Sequence, residues 1–127
     1  MRLLLDTHVV LWWLDDSRRL GVRAKDMISD SDAGVFVSGA TACEIAQKAA
    51  IGKLRVPNDF VERIAAHDFT ELPITLRHGM ATKDLPLHHK DPFDRLLIAQ
   101  ARCEGLTLVT ADRQLSSYDV PILDAAI

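Results

Sequence analysis

The sequence predicts an α/β fold in which a mostly parallel sheet is covered by helices on both sides. Two observations carry this. Short apolar runs without polar alternation, such as Leu3-Leu4-Leu5 and Leu106-Thr107-Leu108-Val109, suit strands buried on both faces. Between such runs lie segments with helical periodicity and helix start or stop signals, so strands and helices alternate along the chain.

The elements follow in order. Leu3 to Leu5 form the first strand; Thr7 is a candidate N-cap, and Val9 to Leu14 make a short apolar helix. Ser17 or Gly21 opens a second helix that runs to about Ser29. Val35-Phe36-Val37, flanked by Gly34 and Ser38, is the second strand. Thr41 to Ile51 is helical, with Ala42, Ile45, Ala46 and Ala49 on one expected core face and Gly52 as its C-terminal stop. Asn58 or Asp59 caps a helix to about His67. Glu71-Leu72-Pro73-Ile74 reads as a third strand, whose proline suits a sheet edge. Thr75 starts a helix to about Lys83. Asp91-Pro92-Phe93-Asp94 is a strong helix start, with Asp at the N-cap and Pro at N1. That helix runs to Cys103 and ends at Gly105. Leu106 to Val109 is the fourth strand, Asp112 to Ser117 a short helix, and Pro121-Ile122-Leu123 the last strand.

The 127 residues suit a single domain over 1–127. With 48% hydrophobic and 26% charged residues, the chain reads as ordinary globular protein, neither disordered nor membrane-spanning. Asp6 interrupts the opening apolar run, so no signal peptide is expected and the expected location is cytoplasmic. Cys43 and Cys103 lack metal-like spacing and are expected to be small buried hydrophobes. A net charge of −3 argues against a protein that coats nucleic acid through bulk positive charge. It leaves room for an acidic centre that acts on nucleic acid.

Four acids stand out by position. Asp6 and Asp112 lie at or just beyond strand ends, while Glu44 and Asp94 are expected in the first turns of helices. In parallel α/β sheets these places share the edge where sites form. Four crowded carboxylates repel one another and call for a cation. An all-oxygen donor set without a His/Cys group suits Mg2+ or Mn2+, one or two ions, which support phosphodiester hydrolysis. Each acid also has a local explanation. Asp6 and Asp112 fit as caps, Glu44 precedes Lys48 by four residues as a helix pair, and Asp94 fits a capping arrangement with Asp91.

Further along, the chain resembles a known family. The segments that carry the likeness are Leu4-Leu5-Asp6-Thr7-His8, Thr41-Ala42-Cys43-Glu44-Ile45-Ala46 leading to Gly52-Lys53-Leu54, His89-Lys90-Asp91-Pro92-Phe93-Asp94-Arg95 continuing to Ala101, and Leu108-Val109-Thr110-Ala111-Asp112. Together they are similar to PIN domains, and more closely to VapC-type toxins of toxin–antitoxin pairs. The resemblance covers nearly the whole chain, and the Asp-Pro-Phe-Asp-Arg run is its most distinctive part. It implies a three-layer α/β/α domain with a central parallel sheet of about five strands. It also implies homodimerisation, Mg2+- or Mn2+-dependent endoribonuclease activity and inhibition by a cognate antitoxin. The family's acids correspond to Asp6, Glu44, Asp94 and Asp112, with Thr110 at a supporting position. Asp91 is assigned to capping first. Cys43 stands where relatives often carry an aromatic residue, a departure that bears on packing.

Within that reading Asp6, Asp94 and Asp112 hold the principal metal, and Glu44 places a second ion or orients the attacking water. Lys48, Lys53, Arg55, Lys90 and Arg95 are candidates to hold RNA phosphates, with solvated surface charge as the plain alternative. Arg95 adjoins Asp94 and has an ion-pair or antitoxin contact as further alternatives. Trp12 and Trp13 are adjacent, so one is expected in the core and the other at a dimer or antitoxin interface. His88 and His89 lack a second pair at zinc spacing. The main rival is a catalytically inactive binding and dimerisation module. Aspartyl-phosphatase chemistry at Asp6 is disfavoured, because the position two residues on is His8 rather than a second Asp. A receiver domain is disfavoured by the absence of a lysine in Val109-Thr110-Ala111.

Overall fold

The computed structural model describes residues 1–88 and 90–127. Five parallel strands form one sheet in the order β3-β2-β1-β4-β5. They are β1 (Arg2–Leu5), β2 (Gly34–Ser38), β3 (Thr70–Leu72), β4 (Thr107–Thr110) and β5 (Ile122–Asp124). β1 is central, with Leu3 opposite Val35 of β2 and Thr107 of β4. The third strand is an edge, as its proline suggested, but ends at Leu72 and leaves Pro73 outside the ladder.

The helices are α1 (Thr7–Leu14), α2 (Val22–Ser29), α3 (Gly39–Ala50), α4 (Phe60–Ala66), α5 (Leu76–Ala81) and α6 (Pro92–Glu104). Short 3-10 turns follow α5 at Thr82–Asp84 and β4 at Arg113–Ser117. The strand pleat explains the two-sided core. Leu3 and Leu5 enter the cluster that includes Val9, Val10, Ala24 and Ile28 of α1 and α2. Leu4 enters the opposite one, with Leu97, Ile98 and Ala101 of α6. All three leucines are fully buried, each worth roughly 1.5–3 kcal/mol of transfer free energy.

Several expected boundaries shift for identifiable reasons. Helix α1 starts at Thr7 because Asp6, not Thr7, is its cap and accepts the Thr7 N–H. Helix α3 starts two residues before the expected Thr41, where the Ser38 hydroxyl accepts from Ala40 N–H. Gly52 and Gly105 stop their helices as expected; both sit in the left-handed region, at φ 75° and 66°.

Two packing expectations are corrected. Helix α3 buries Ala40, Thr41, Glu44 and Ile45, whereas Ala42 and Ala46 are exposed. The apolar periodicity of small alanines misleads because the inward face carries polar groups. Cys43 and Cys103 are exposed rather than buried. Cys43 adjoins Glu44 but faces away from the core side of α3, and Cys103 lies in the last turn of α6.

Candidate functional site

Parallel strands end at one edge of the sheet, and the acids gather there. Asp6, Glu44, Asp94 and Asp112 line a single cleft with a volume of about 310 Å3, shared with Lys48 and Lys53. Its floor is the junction of β1 and β4, where Asp6 N–H donates to Val109 O at 2.9 Å.

Asp6 is 3% exposed. Its Oδ1 accepts from Thr7 N–H, and its Oδ2 accepts from the Thr110 hydroxyl, both at 2.7 Å. The Thr110 oxygen also accepts from Asp112 N–H at 3.0 Å, so one hydroxyl spans the β1 and β4 ends. Asp112 in turn caps the following turn by accepting from Gln114 N–H at 2.9 Å. Burial raises the Asp6 pKa, opposed by His8, the Thr110 hydroxyl and the Thr7 N–H.

His8 is a site residue that sequence reasoning does not single out. Its Nε2 accepts from Ala111 N–H at 3.1 Å, so Nδ1, 3.4 Å from Asp6 Oδ2, is the nitrogen that carries the proton. The available signal is its position two residues beyond Asp6, at the start of α1 and against the β4 exit.

Glu44 lies in the second turn of α3 rather than the first, because the helix begins two residues earlier than expected. It remains buried at 8% exposure. Its Oε1 accepts from the Thr7 hydroxyl at 2.7 Å, and its Oε2 pairs with Lys48 Nζ at 2.8 Å. The helix pair and the place in the cleft therefore coexist. Glu44 raises the Lys48 pKa, with smaller help from Asp91 and Asp94.

Asp94 sits in the first turn of α6, below the cap in which Asp91 Oδ1 accepts from Phe93 N–H and Asp94 N–H at 2.8 and 3.3 Å. Its carboxyl is pushed up to about 7, first by burial and then by the charges of Asp6, Asp91, Glu44 and Asp112. Such a shift at converging acids in a cleft is a functional-site signature.

The expected cations divide. Lys48 and Lys53 line the acidic cleft, and Arg55 lines the groove next to it. Lys90 is exposed and does not line the cleft. Arg95, one of the candidate phosphate contacts, has its guanidinium donating to the carbonyls of Thr82, Leu85 and Pro86. It anchors the segment before α6. Trp12 and Trp13 are both half-buried against the same core cluster, rather than one in and one out. His88 packs edge-on against Tyr118, and His89 lies outside the described residues. Among the described residues, no group of three or more His, Cys, Asp or Glu side chains could hold a metal ion as they stand.

The donor set nonetheless fits a hard divalent cation. It is all oxygen, and Mg2+ is ordinarily held by one or two carboxylates with water in its other positions rather than by a complete protein cage. Burial, and after it the repulsion of the neighbouring acids, raises Asp94, and such a charge would relieve that repulsion.

A family model for the PIN domain matches residues 3–121. Ribonuclease VapC22 of Mycobacterium tuberculosis is 34% identical over 122 residues, which cover 93% of this chain and 92% of that protein. Among solved structures, VapBC2 from Rickettsia felis, bound to a DNA fragment from its promoter, has a chain that superposes with a TM-score of 0.73. Identity there is 11%, with 97% of this chain and 98% of that one covered. DNA-bound VapBC from Salmonella typhimurium gives a TM-score of 0.68 at 17% identity, covering 98% of both chains. No described helix is long and apolar enough to cross a membrane.

Proposed function

The chain belongs to the PIN-domain family, and from that premise we propose that it is a Mg2+- or Mn2+-dependent endoribonuclease. We take it to be a toxin that a cognate antitoxin neutralises. The observation that carries the reading is Asp94, whose carboxyl is pushed up to about 7 beside three further acids in one cleft.

In this reading Asp6, Asp94 and Asp112 hold the principal ion, directly or through water, and Glu44 serves a second ion or the attacking water. When bound, the ion supplies a water of lowered pKa and stabilises charge on the phosphate oxygens. The chain's own groups do the positioning. Thr7, Thr110 and His8 fix the Asp6 carboxylate, so it needs no reorganisation when charge develops. Thr7 and Lys48 hold Glu44 from either side, leaving it lone pairs to accept a proton from water. Lys48 and Lys53 offer cations to the phosphate on the same cleft wall.

The antitoxin partner follows the likeness to chains solved as VapBC complexes. A homodimer is consistent with the exposed apolar surface of Ile74, Leu76, Met80 and Leu87. A cytoplasmic location belongs to the same reading.

The test is cleavage of a mixed RNA pool with Mg2+, Mn2+ or EDTA, wild type beside Asp6→Asn. Cutting that needs metal and disappears in the variant supports the nuclease. A second reading, an inactive binding module, draws on the capping role of Asp6, whose two oxygens each already accept a hydrogen bond, from Thr7 and Thr110. Folded protein that cuts no RNA under any metal favours it.

A further inference from the structure

Beside the acidic cleft runs a second groove of about 490 Å3. Leu11 and Leu54 line both, so the two spaces adjoin across these side chains. The groove's character differs from that of the cleft. It is lined by Trp12, Arg19, Arg55 and Pro57, with Asp15 its only lining acid among the described residues. Four carboxylates line one space, and two arginines with an indole line the next.

We propose that this groove is a subsite for a nucleotide of single-stranded RNA flanking the cleaved phosphate, its base against Trp12 and its phosphate between Arg19 and Arg55. The proposal rests on the nuclease reading of the adjoining cleft. Single-stranded nucleic acid is commonly held by an aromatic platform with nearby cations, and about 490 Å3 falls in the ordinary range for a small-ligand site.

Two further observations favour RNA. Arg19 and Arg55 are exposed, and among the described residues neither guanidinium has an ion pair or side-chain hydrogen bond. Trp12, by contrast, is held in position. Its ring meets His8 edge-on at 4.8 Å, and His8 bridges Ala111 N–H and the Asp6 carboxylate. The indole is thus kept at a set spacing from the acids, as a base-binding platform beside a cleavage centre requires.

The test uses the full chain and a labelled single-stranded hexanucleotide. Affinity is read by fluorescence anisotropy in EDTA, so that no cleavage intervenes. Arg19→Glu/Arg55→Glu is expected to weaken binding at least tenfold and to flatten its salt dependence. Trp12→Leu weakens it as well, and Trp12→Phe retains most of the affinity. In metal-dependent cleavage, the double variant loses at least tenfold more on the hexanucleotide than on a dinucleotide. Unchanged affinity, or equal losses on both substrates, overturns the proposal. So does an acidic peptide that binds wild type and not the double variant while hexanucleotide affinity is untouched, which assigns the groove to a protein. If wild type cuts neither substrate, the nuclease reading fails, and the anisotropy comparison still decides the subsite. The arginine variants alter exposed side chains, so they keep the test open if Trp12→Leu fails to fold.

Discussion

The Thr110 hydroxyl donates to Asp6 Oδ2 at 2.7 Å across 104 residues of sequence. The same oxygen accepts the Asp112 N–H, so one small side chain ties two of the four acids together at the β1–β4 junction. Removing it frees a buried carboxylate oxygen and an amide at once.

Thr110→Val is therefore expected to lower RNA cleavage about 10- to 100-fold, the usual effect of losing a group that orients a metal ligand. Thr110→Ser keeps the hydroxyl and should keep most of the activity. Steady-state cleavage of a defined RNA checks both; undiminished Thr110→Val activity would mean that Asp6 holds its geometry without this bond.

Asp94 sets a pH dependence. Its ordinary value near 3.8 is raised to about 7 in the folded chain, so between these values the native state binds more protons than the unfolded one. Stability without metal should fall as pH rises through that window. The Asp94→Asn variant should show a shallower decline. Urea denaturation in EDTA from about pH 4 to about pH 7.5 measures it, and a slope unaffected by Asn would refute the assignment.

Divalent metal should act in the opposite sense to this repulsion. Mg2+ or Mn2+ is expected to raise the Tm of wild type near neutral pH, by about 2.7 kcal/mol of stabilisation at about 100 times Kd. EDTA should abolish the rise. Asp94→Asn, though more stable in EDTA, should gain little from metal. Differential scanning fluorimetry of the two proteins side by side reads both effects.

The Glu44–Lys48 pair predicts a smaller change. Lys48 is half-exposed, so Lys48→Met should cost less than about 1 kcal/mol of stability. Its larger effect should be on RNA, with a raised KM, if its ammonium also meets phosphate. Loss of stability without any change in KM would confine Lys48 to the helix pair.

A structural control lies away from the cleft. Fully buried Gln100 accepts from the Ser38 hydroxyl at 2.5 Å and donates to Pro73 O at 3.2 Å, with His78 Nδ1 3.3 Å from its amide nitrogen. Gln100→Leu leaves these groups short of partners, at a cost of about 1–3 kcal/mol. Tm should fall while cleavage per folded molecule is retained.

By itself the sequence determined the alternation of strands and helices, the stops at Gly52 and Gly105, the Asp91-Pro92 helix start and the four acids. These are local signals: an apolar run, a missing Cβ, a proline ring and a cap act within a few residues of chain. The local explanations of three of these acids also hold, since Asp6 and Asp112 do cap and Glu44 does pair with Lys48. For that reason no single position could disclose a site. Only the tertiary structure decided which face of α3 turns inward, because the alanine stripe was equally free to face solvent and Glu44 enters on Thr7's hydroxyl. It also decided that the Arg95 guanidinium reaches the carbonyls of Thr82, Leu85 and Pro86, and that His8 joins the centre through Ala111. Those contacts link residues distant in sequence, whose meeting depends on strand order and on the common edge at which parallel strands end.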